Sequence, residues 1–171
     1  MREIFERITE HFKVPIRVGS RCEANIFYRV DQLSPEDLKT CGDYVAERVL
    51  KVIEPNLPEI IINLPGGYTG FAEILAQELA LPGEEPIEVI PYAKLDPQNG
   101  KSSSIRGKNL ILVSDVITTA RSCLEAHTRV TMLNARVLCW ASLIDRTFGP
   151  GPVPVVASFT GDPVRLLEDV I

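Results

Sequence analysis

The chain has 171 residues, of which 45% are hydrophobic and 24% charged, with a formal net charge of -5. That length suits one compact unit with a sizeable core, and the acidic balance argues against a nucleic-acid binder that relies on a broad basic surface. No apolar run approaches membrane-spanning length, so no membrane partner is expected, and the charged, amphipathic start from Met1 to Ile8 does not read as a signal peptide.

Taken in chain order, Ile4, Phe5, Ile8 and Phe12 share one face of a predicted helix over 2–12. Residues 14–31 read as extended. Ser34 as cap and Pro35 in the first turn open a second helix that runs to about Val52. Strands and helices then alternate: strand 59–63, helix 70–80, strands 87–92 and 109–114, helix 121–133, strands 136–144 and 153–157, and a short helix 163–169. Such alternation, without repeats or a dividing linker, predicts an α/β fold with a largely parallel twisted sheet and helices on both faces. Cys22, Cys41, Cys123 and Cys139 are widely spaced with no CxxC pair, and only His11 and His127 accompany them, so neither a zinc site nor a disulfide framework is indicated. The cysteines read as reduced, buried thiols of a cytoplasmic protein. Both histidines fall on predicted helices without an acid partner nearby and are expected to be structural.

Residues 111–122 carry the most chemical information. Leu110 to Val113 form a continuous apolar run, the pattern of a strand buried on both faces. Asp115 then falls at the strand's carboxyl end, where open α/β sheets bind ligands. Thr118, Thr119, Ala120, Arg121 and Ser122 follow, leading into Cys123, Leu124, Ala126, Val130 and Leu133 at helical spacing. A turn at a helix amino terminus offers free amides and the positive end of the helix dipole to an anion such as a phosphate monoester. Hydroxyls of the threonines and Ser122 can donate to the same oxygens. An ionised Asp115 would repel that phosphate on contact and is better placed to accept hydrogen bonds from sugar hydroxyls. The plainer reading makes Asp115 a helix cap and the threonines turn fillers.

The stretch ValSerAspValIleThrThrAla, residues 113–120, resembles the phosphoribosyl-pyrophosphate (PRPP) motif of type I phosphoribosyltransferases, in which apolar residues, two acids and a ThrThrGly-type turn follow one another. The resemblance implies that Asp115 is the second acid, that it and residue 114 hold the ribose, and that Thr118, Thr119, Ala120, Arg121 and Ser122 hold the 5-phosphate. This chain has Ser114 in place of the first acid and Ala120 in place of the glycine. A positive backbone angle at Ala120 would cost about 1 kcal/mol.

Three further segments are similar to parts of the same family. Leu64, Pro65, Gly66, Gly67, Tyr68, Thr69 and Gly70 link an apolar strand to a helix; their glycines let amides approach a polyanion, and their position resembles the pyrophosphate loop. An ordinary glycine-rich turn is the alternative. The polar connection from Tyr92 to Lys108 is long for a compact domain. It resembles the catalytic lid of the orotate branch, which implies catalytic roles for Lys94 and Lys101, with Arg106 less favoured; a solvated loop with surface lysines is the alternative. Residues 16–31 resemble the orotate enzymes' hood over the base, which aligns Arg17, Phe27 and Tyr28 with base-contacting positions, and Arg146 in SerLeuIleAspArg, 142–146, aligns with a base-binding arginine. A ring can stack on a flat pyrimidine, and an arginine complements a carboxylate. Against this, Phe27 and Tyr28 also read as core residues of a hairpin, and Asp145 and Arg146 as a surface pair.

These resemblances run in order from about residue 14 to 160. They imply a type I phosphoribosyltransferase fold nearest the orotate branch, in one domain over 1–171 with a small hood at about 12–31. The implied activity moves the 5-phosphoribosyl group from PRPP to a nucleobase, an orotate-like pyrimidine favoured, with release of pyrophosphate. Mg2+ would arrive bound to PRPP with no direct protein ligands, and the family implies a homodimer. The altered acid at Ser114 keeps a second class open, a non-catalytic sensor of PRPP or a nucleotide. A transferase acting on another base is the remaining alternative.

Overall fold

The computed structural model describes residues 1–18, 22–66, 69–95, 101–147, 150–162 and 165–166. In chain order the elements begin with helix α1 (Arg2–Arg7), strands β1 (Thr9–Val18) and β2 (Cys22–Tyr28), helix α2 (Pro35–Ile53), strand β3 (Ile60–Asn63), helix α3 (Thr69–Glu78) and strand β4 (Glu88–Pro91). They continue with the single turn α4 (Lys101–Ser104), strand β5 (Asn109–Ile117), helix α5 (Arg121–Met132), and strands β6 (Arg136–Asp145), β7 (Val155–Thr160) and β8 (Arg165–Leu166). Two sheets result: five parallel strands in the order β4-β3-β5-β6-β7, and an antiparallel hood in the order β1-β2-β8.

The alternation along each central strand divides the core. Ile61, Ile111, Val113, Cys139 and Ala141 pack with Val45 and Val49 of α2 and Phe71 and Leu75 of α3. Ile60, Ile62, Leu110, Leu112 and Trp140 pack with Cys123, Ala126 and Val130 of α5 on the other face. Both faces are therefore apolar, which is why β5 reads as an unbroken hydrophobic run. Helix α2 starts where its cap predicts: Asp37 N donates to Ser34 Oγ over 3.0 Å, and the Ser34 hydroxyl donates to Asp37 Oδ2 over 2.8 Å.

Two predicted helices are corrected. The helix expected over 2–12 stops at Arg7, and Thr9–Val18 is strand β1, so Phe12 and His11 are strand residues. Pairing with β2, from Thr9↔Tyr28 to Val18↔Cys22, satisfies the backbone there and overrides the helical spacing of the apolar residues. The helix expected over 163–169 is absent where residues are described: Arg165 and Leu166 pair with Glu23 and Cys22, closing the open edge of β2. Its remaining residues, 163–164 and 167–169, lie outside the described ones. Smaller shifts place β4 at Glu88–Pro91, followed by a 3-10 turn Tyr92–Lys94, and extend β5 to Ile117 and β7 to Thr160.

Within the connection 92–108, residues 96–100 lie outside the described ones, and the flanks are docked rather than free. Leu95 and Ile105 are fully buried against the α5 face. The carbonyl of Leu95 accepts from Arg129 Nη2 at 2.5 Å and from Ser102 Oγ at 3.1 Å, and the Arg129 guanidinium lies over the Tyr92 ring at 5.3 Å. Cys41, Cys123 and Cys139 are buried free thiols; the side chain of Cys22 lies outside the described ones. Among the described residues no helix is long and apolar enough to cross a membrane.

Candidate functional site

The carboxyl end of β5 is held from both sides. Leu64 N donates to Val113 O over 2.9 Å, and Arg146 N donates to Ile117 O over 2.8 Å. The first bond sets the turn after β3 beside Ser114. A cavity of about 120 Å³ opens there, lined by Pro65, Gly66, Ser114, Asp115, Val116, Ile117, Thr118, Thr119, Ala120, Arg121, Ser122 and Cys123. Ten consecutive residues, 114–123, thus share one concave surface with the turn from the neighbouring strand.

Helix α5 begins on this surface. Ala120 is its N-cap, with φ 57° and ψ 3°, and Leu124 N donates to Ala120 O over 2.8 Å to open the helix. No side chain caps the end. Amides in the first turn have no acceptor within their own helix, so they point to the cavity end as donors with the dipole behind them. The left-handed conformation explains why glycine would be at ease at position 120, and holding alanine there costs about 1 kcal/mol. Gly66, at φ 79°, takes the second left-handed position of the cavity, with open space around its α-carbon.

Asp115 is half-buried, and its Oδ1 accepts from Val116 N at 2.7 Å. Burial pushes its carboxyl above the ordinary range, against the pull of that amide and its own. Ser114 is buried at 8% exposure, and its hydroxyl donates only a long 3.4 Å bond to Val116 O. The exposed Arg121 pairs with Glu125 over 2.8 Å, a surface contact of little energetic weight. Cys123, buried below the turn, is raised to about 12 by burial and then by the charge of Asp145, so it is an inert thiol.

The other predicted residues lie elsewhere. Gly67 and Tyr68 are outside the described residues; Thr69 and Gly70 open α3, the side chain of Thr69 being outside the described ones. Lys94 is exposed on the 3-10 turn after β4, and Lys101 starts α4 with a side chain outside the described ones. Arg17 is exposed on β1 opposite Glu23. Phe27 is 37% exposed, whereas Tyr28 is 6% exposed and belongs to the core, edge-on to Phe159 at 5.9 Å. Arg146 is 3% exposed and is no surface residue: its Nε donates to Asp162 O over 2.6 Å, its Nη1 to Ile26 O over 3.2 Å, and its guanidinium lies 5.3 Å from the Tyr28 ring centroid. His11 is exposed on β1. His127 is half-buried on α5, edge-on to Trp140 at 6.1 Å. Sequence reasoning missed Arg129 as the anchor of the 92–95 flank, because its acceptor is a backbone carbonyl, which no residue pattern advertises.

No protein-family model matches the chain, and no curated protein matches it by sequence. Solved structures do match. An orotate phosphoribosyltransferase of Mycobacterium tuberculosis superposes with a TM-score of 0.62 at 17% identity, covering 92% of this chain and 93% of that one. An adenine phosphoribosyltransferase of Leishmania donovani gives 0.65 at 16% identity over 92% and 78%. A protein of Neisseria gonorrhoeae solved with bound ppGpp gives 0.56 at 15% identity over 75% and 81%. The parallel sheet, the helices on its two faces and these neighbours agree: the chain has the type I phosphoribosyltransferase fold.

Proposed function

We propose that the chain binds PRPP at the end of β5 and transfers its 5-phosphoribosyl group to a nucleobase, releasing pyrophosphate. The observation that carries this reading is the single cavity joining Asp115, the uncapped start of α5 and the turn at Pro65 and Gly66. The 5-phosphate would sit on the amides and hydroxyls of 118–122. Asp115 would accept from a ribose hydroxyl, and the pyrophosphate would meet the backbone amides after β3, with Lys94 and Lys101 as the cations that the lid would bring to it. A base nitrogen then attacks carbon 1 of the ribose as the bond to pyrophosphate breaks, inverting that centre. The chain's contribution is positioning and electrostatic stabilisation, with no covalent nucleophile.

Mg2+ belongs to this reading as an ion carried by PRPP, where it would neutralise the departing pyrophosphate. The donor set fits that role: the cavity offers one carboxylate, Asp115, beside an uncharged Ser114, so most oxygens around the ion would come from PRPP. For the base, an orotate-like pyrimidine is favoured, with Arg17 and the exposed ring of Phe27 as the hood groups that would contact it. Homodimer formation follows from the same resemblance.

A second reading has its own support. Ser114 removes one of the two charges that would hold the ribose, and a protein of the same fold has been solved with ppGpp. Both fit a nucleotide sensor without turnover. Pyrophosphate release from PRPP and Mg2+, screened against orotate, uracil and purine bases with Asp115→Asn as control, decides between them. Base-dependent release lost in the variant establishes the transferase. Calorimetric binding of PRPP or ppGpp that needs Asp115, without release, establishes the sensor, and the absence of both overturns the ligand assignment.

A further inference from the structure

Arg146 stands between the phosphate turn and the hood. Its main chain belongs to the site: Arg146 N donates to Ile117 O over 2.8 Å, at the last residue of β5 and directly before Thr118. Its side chain belongs to the hood. Nη1 donates to the carbonyl of Ile26 in β2, and Nε donates to the carbonyl of Asp162, just upstream of β8. The ring of Tyr28, also in β2, lies 5.3 Å below the guanidinium. Tyr28 in turn meets Phe159 of β7 edge-on, and Phe159 stacks on Phe5 of α1 at 5.0 Å.

A guanidinium at 3% exposure is tolerated only where its donors find acceptors, and these are charge-assisted bonds to carbonyls. One engages β2 of the hood and the other the segment between β7 and β8. The packing around the clamp is close: a Cβ added at Gly161 would stand 2.9 Å from Tyr28 Oη and 3.1 Å from Ile144 Cγ2. Gly161 N itself donates to Asp145 O over 2.8 Å, which ties the chain leading to β8 back to β6.

We propose that Arg146 is a positioning residue that pins the hood to the carboxyl ends of β5 and β6, so that the hood and the phosphate turn move as one body. It acts through Ile26, Asp162 and Tyr28 and not by touching a base. The inference rests on the proposed reading only in calling the β1-β2-β8 sheet a hood over a ligand; the clamp itself needs neither turnover nor PRPP.

Amide hydrogen exchange tests it in the whole protein, in wild type, Arg146→Lys and Gly161→Ala, with inorganic phosphate and with PRPP as probes. Lysine keeps the charge but cannot reproduce the planar fork or the stacking, and Gly161→Ala displaces Tyr28 while leaving Arg146 in place. The expected result is exchange at least tenfold faster across 9–18 and 22–28 in both variants, with protection of 60–63 and 109–117 unchanged. In wild type, phosphate or PRPP should slow the hood amides as well as those of the turn, and the variants should lose that coupling. Unchanged hood exchange in both variants overturns the proposal. So does a uniform rise across both sheets, which marks a merely structural residue, and so does an Arg146→Lys protein that loses affinity for a carboxylated base alone with its hood intact. Because exchange needs no catalysis, a failed transferase assay leaves this test standing.

Discussion

The turn after β5 and the hood are assembled in opposite ways. Residues 114–123 form a concave surface almost by themselves, borrowing among the described residues only Pro65 and Gly66 from the turn after β3. The hood is brought together from both ends of the chain: β1 and β2 near the amino terminus, β8 near the carboxyl terminus, and a guanidinium whose bond to Ile26 spans 120 residues. Local chemistry makes the first; tertiary contacts make the second. Damage should therefore stay local in the turn and spread between elements in the hood.

The strongest test of that contrast is Asp115→Asn. Hydrogen bonds to a charged group contribute about 1.5–3 kcal/mol, so PRPP affinity should fall roughly 10- to 150-fold by calorimetry. Hood exchange should stay at the wild-type rate, because Asp115 bonds only within the turn, to Val116 N. An Asp115→Asn protein with a loosened hood would break the comparison.

The same contrast decides what could be read in advance. The β5–turn–α5 segment was legible because strand, acid, hydroxyls and helix start are consecutive, and α2 because Ser34 and Pro35 mark its start. The strand β1 was hidden under helical spacing of Ile4, Phe5, Ile8 and Phe12, and it is a strand because β2 pairs with it. A two-residue strand such as β8 has no pattern of its own and exists through the edge it closes. Arg146 stood out through the family resemblance as a base-contacting position, whereas its acceptors include the carbonyls of Ile26 and Asp162, which carry no side-chain signature.

Substitutions at Ala120 sharpen the local side. A β-branched residue at φ 57° is a genuine outlier, so Ala120→Val should lower stability by about 2 kcal/mol and weaken phosphate binding at the same turn. Ala120→Gly relieves the strain but gains freedom in the unfolded chain, so the net change should stay within about 0.5 kcal/mol. Urea unfolding of both variants measures the pair. In the hood, Tyr28→Leu removes the ring under Arg146 and the edge contact with Phe159, for a loss of about 2 kcal/mol. Inorganic phosphate affinity at the turn should fall with it, because a hood that phosphate steadies must in turn steady phosphate; an unchanged affinity would show that the two regions are energetically separate.

The smallest expected effect separates the two readings of Asp115 itself. Its folded carboxyl is raised, chiefly by burial, above the unfolded value. A raised acid disfavours the folded state wherever it is charged, so it subtracts stability as pH climbs from the ordinary carboxylate value through the folded one, and subtracts nothing below. Asp115→Asn escapes that cost. The ligand-free variant should therefore melt slightly above wild type at about pH 7, and the gap should close towards about pH 4. The opposite sign, a wild type more stable than the variant at neutral pH, would mean that the 2.7 Å bond to Val116 N outweighs burial and that Asp115 is kept as a cap for the turn. A carboxylate that weakens the empty protein and is needed by the filled one is instead held there for its ligand, because in the empty fold burial costs its charge more than the two amides return.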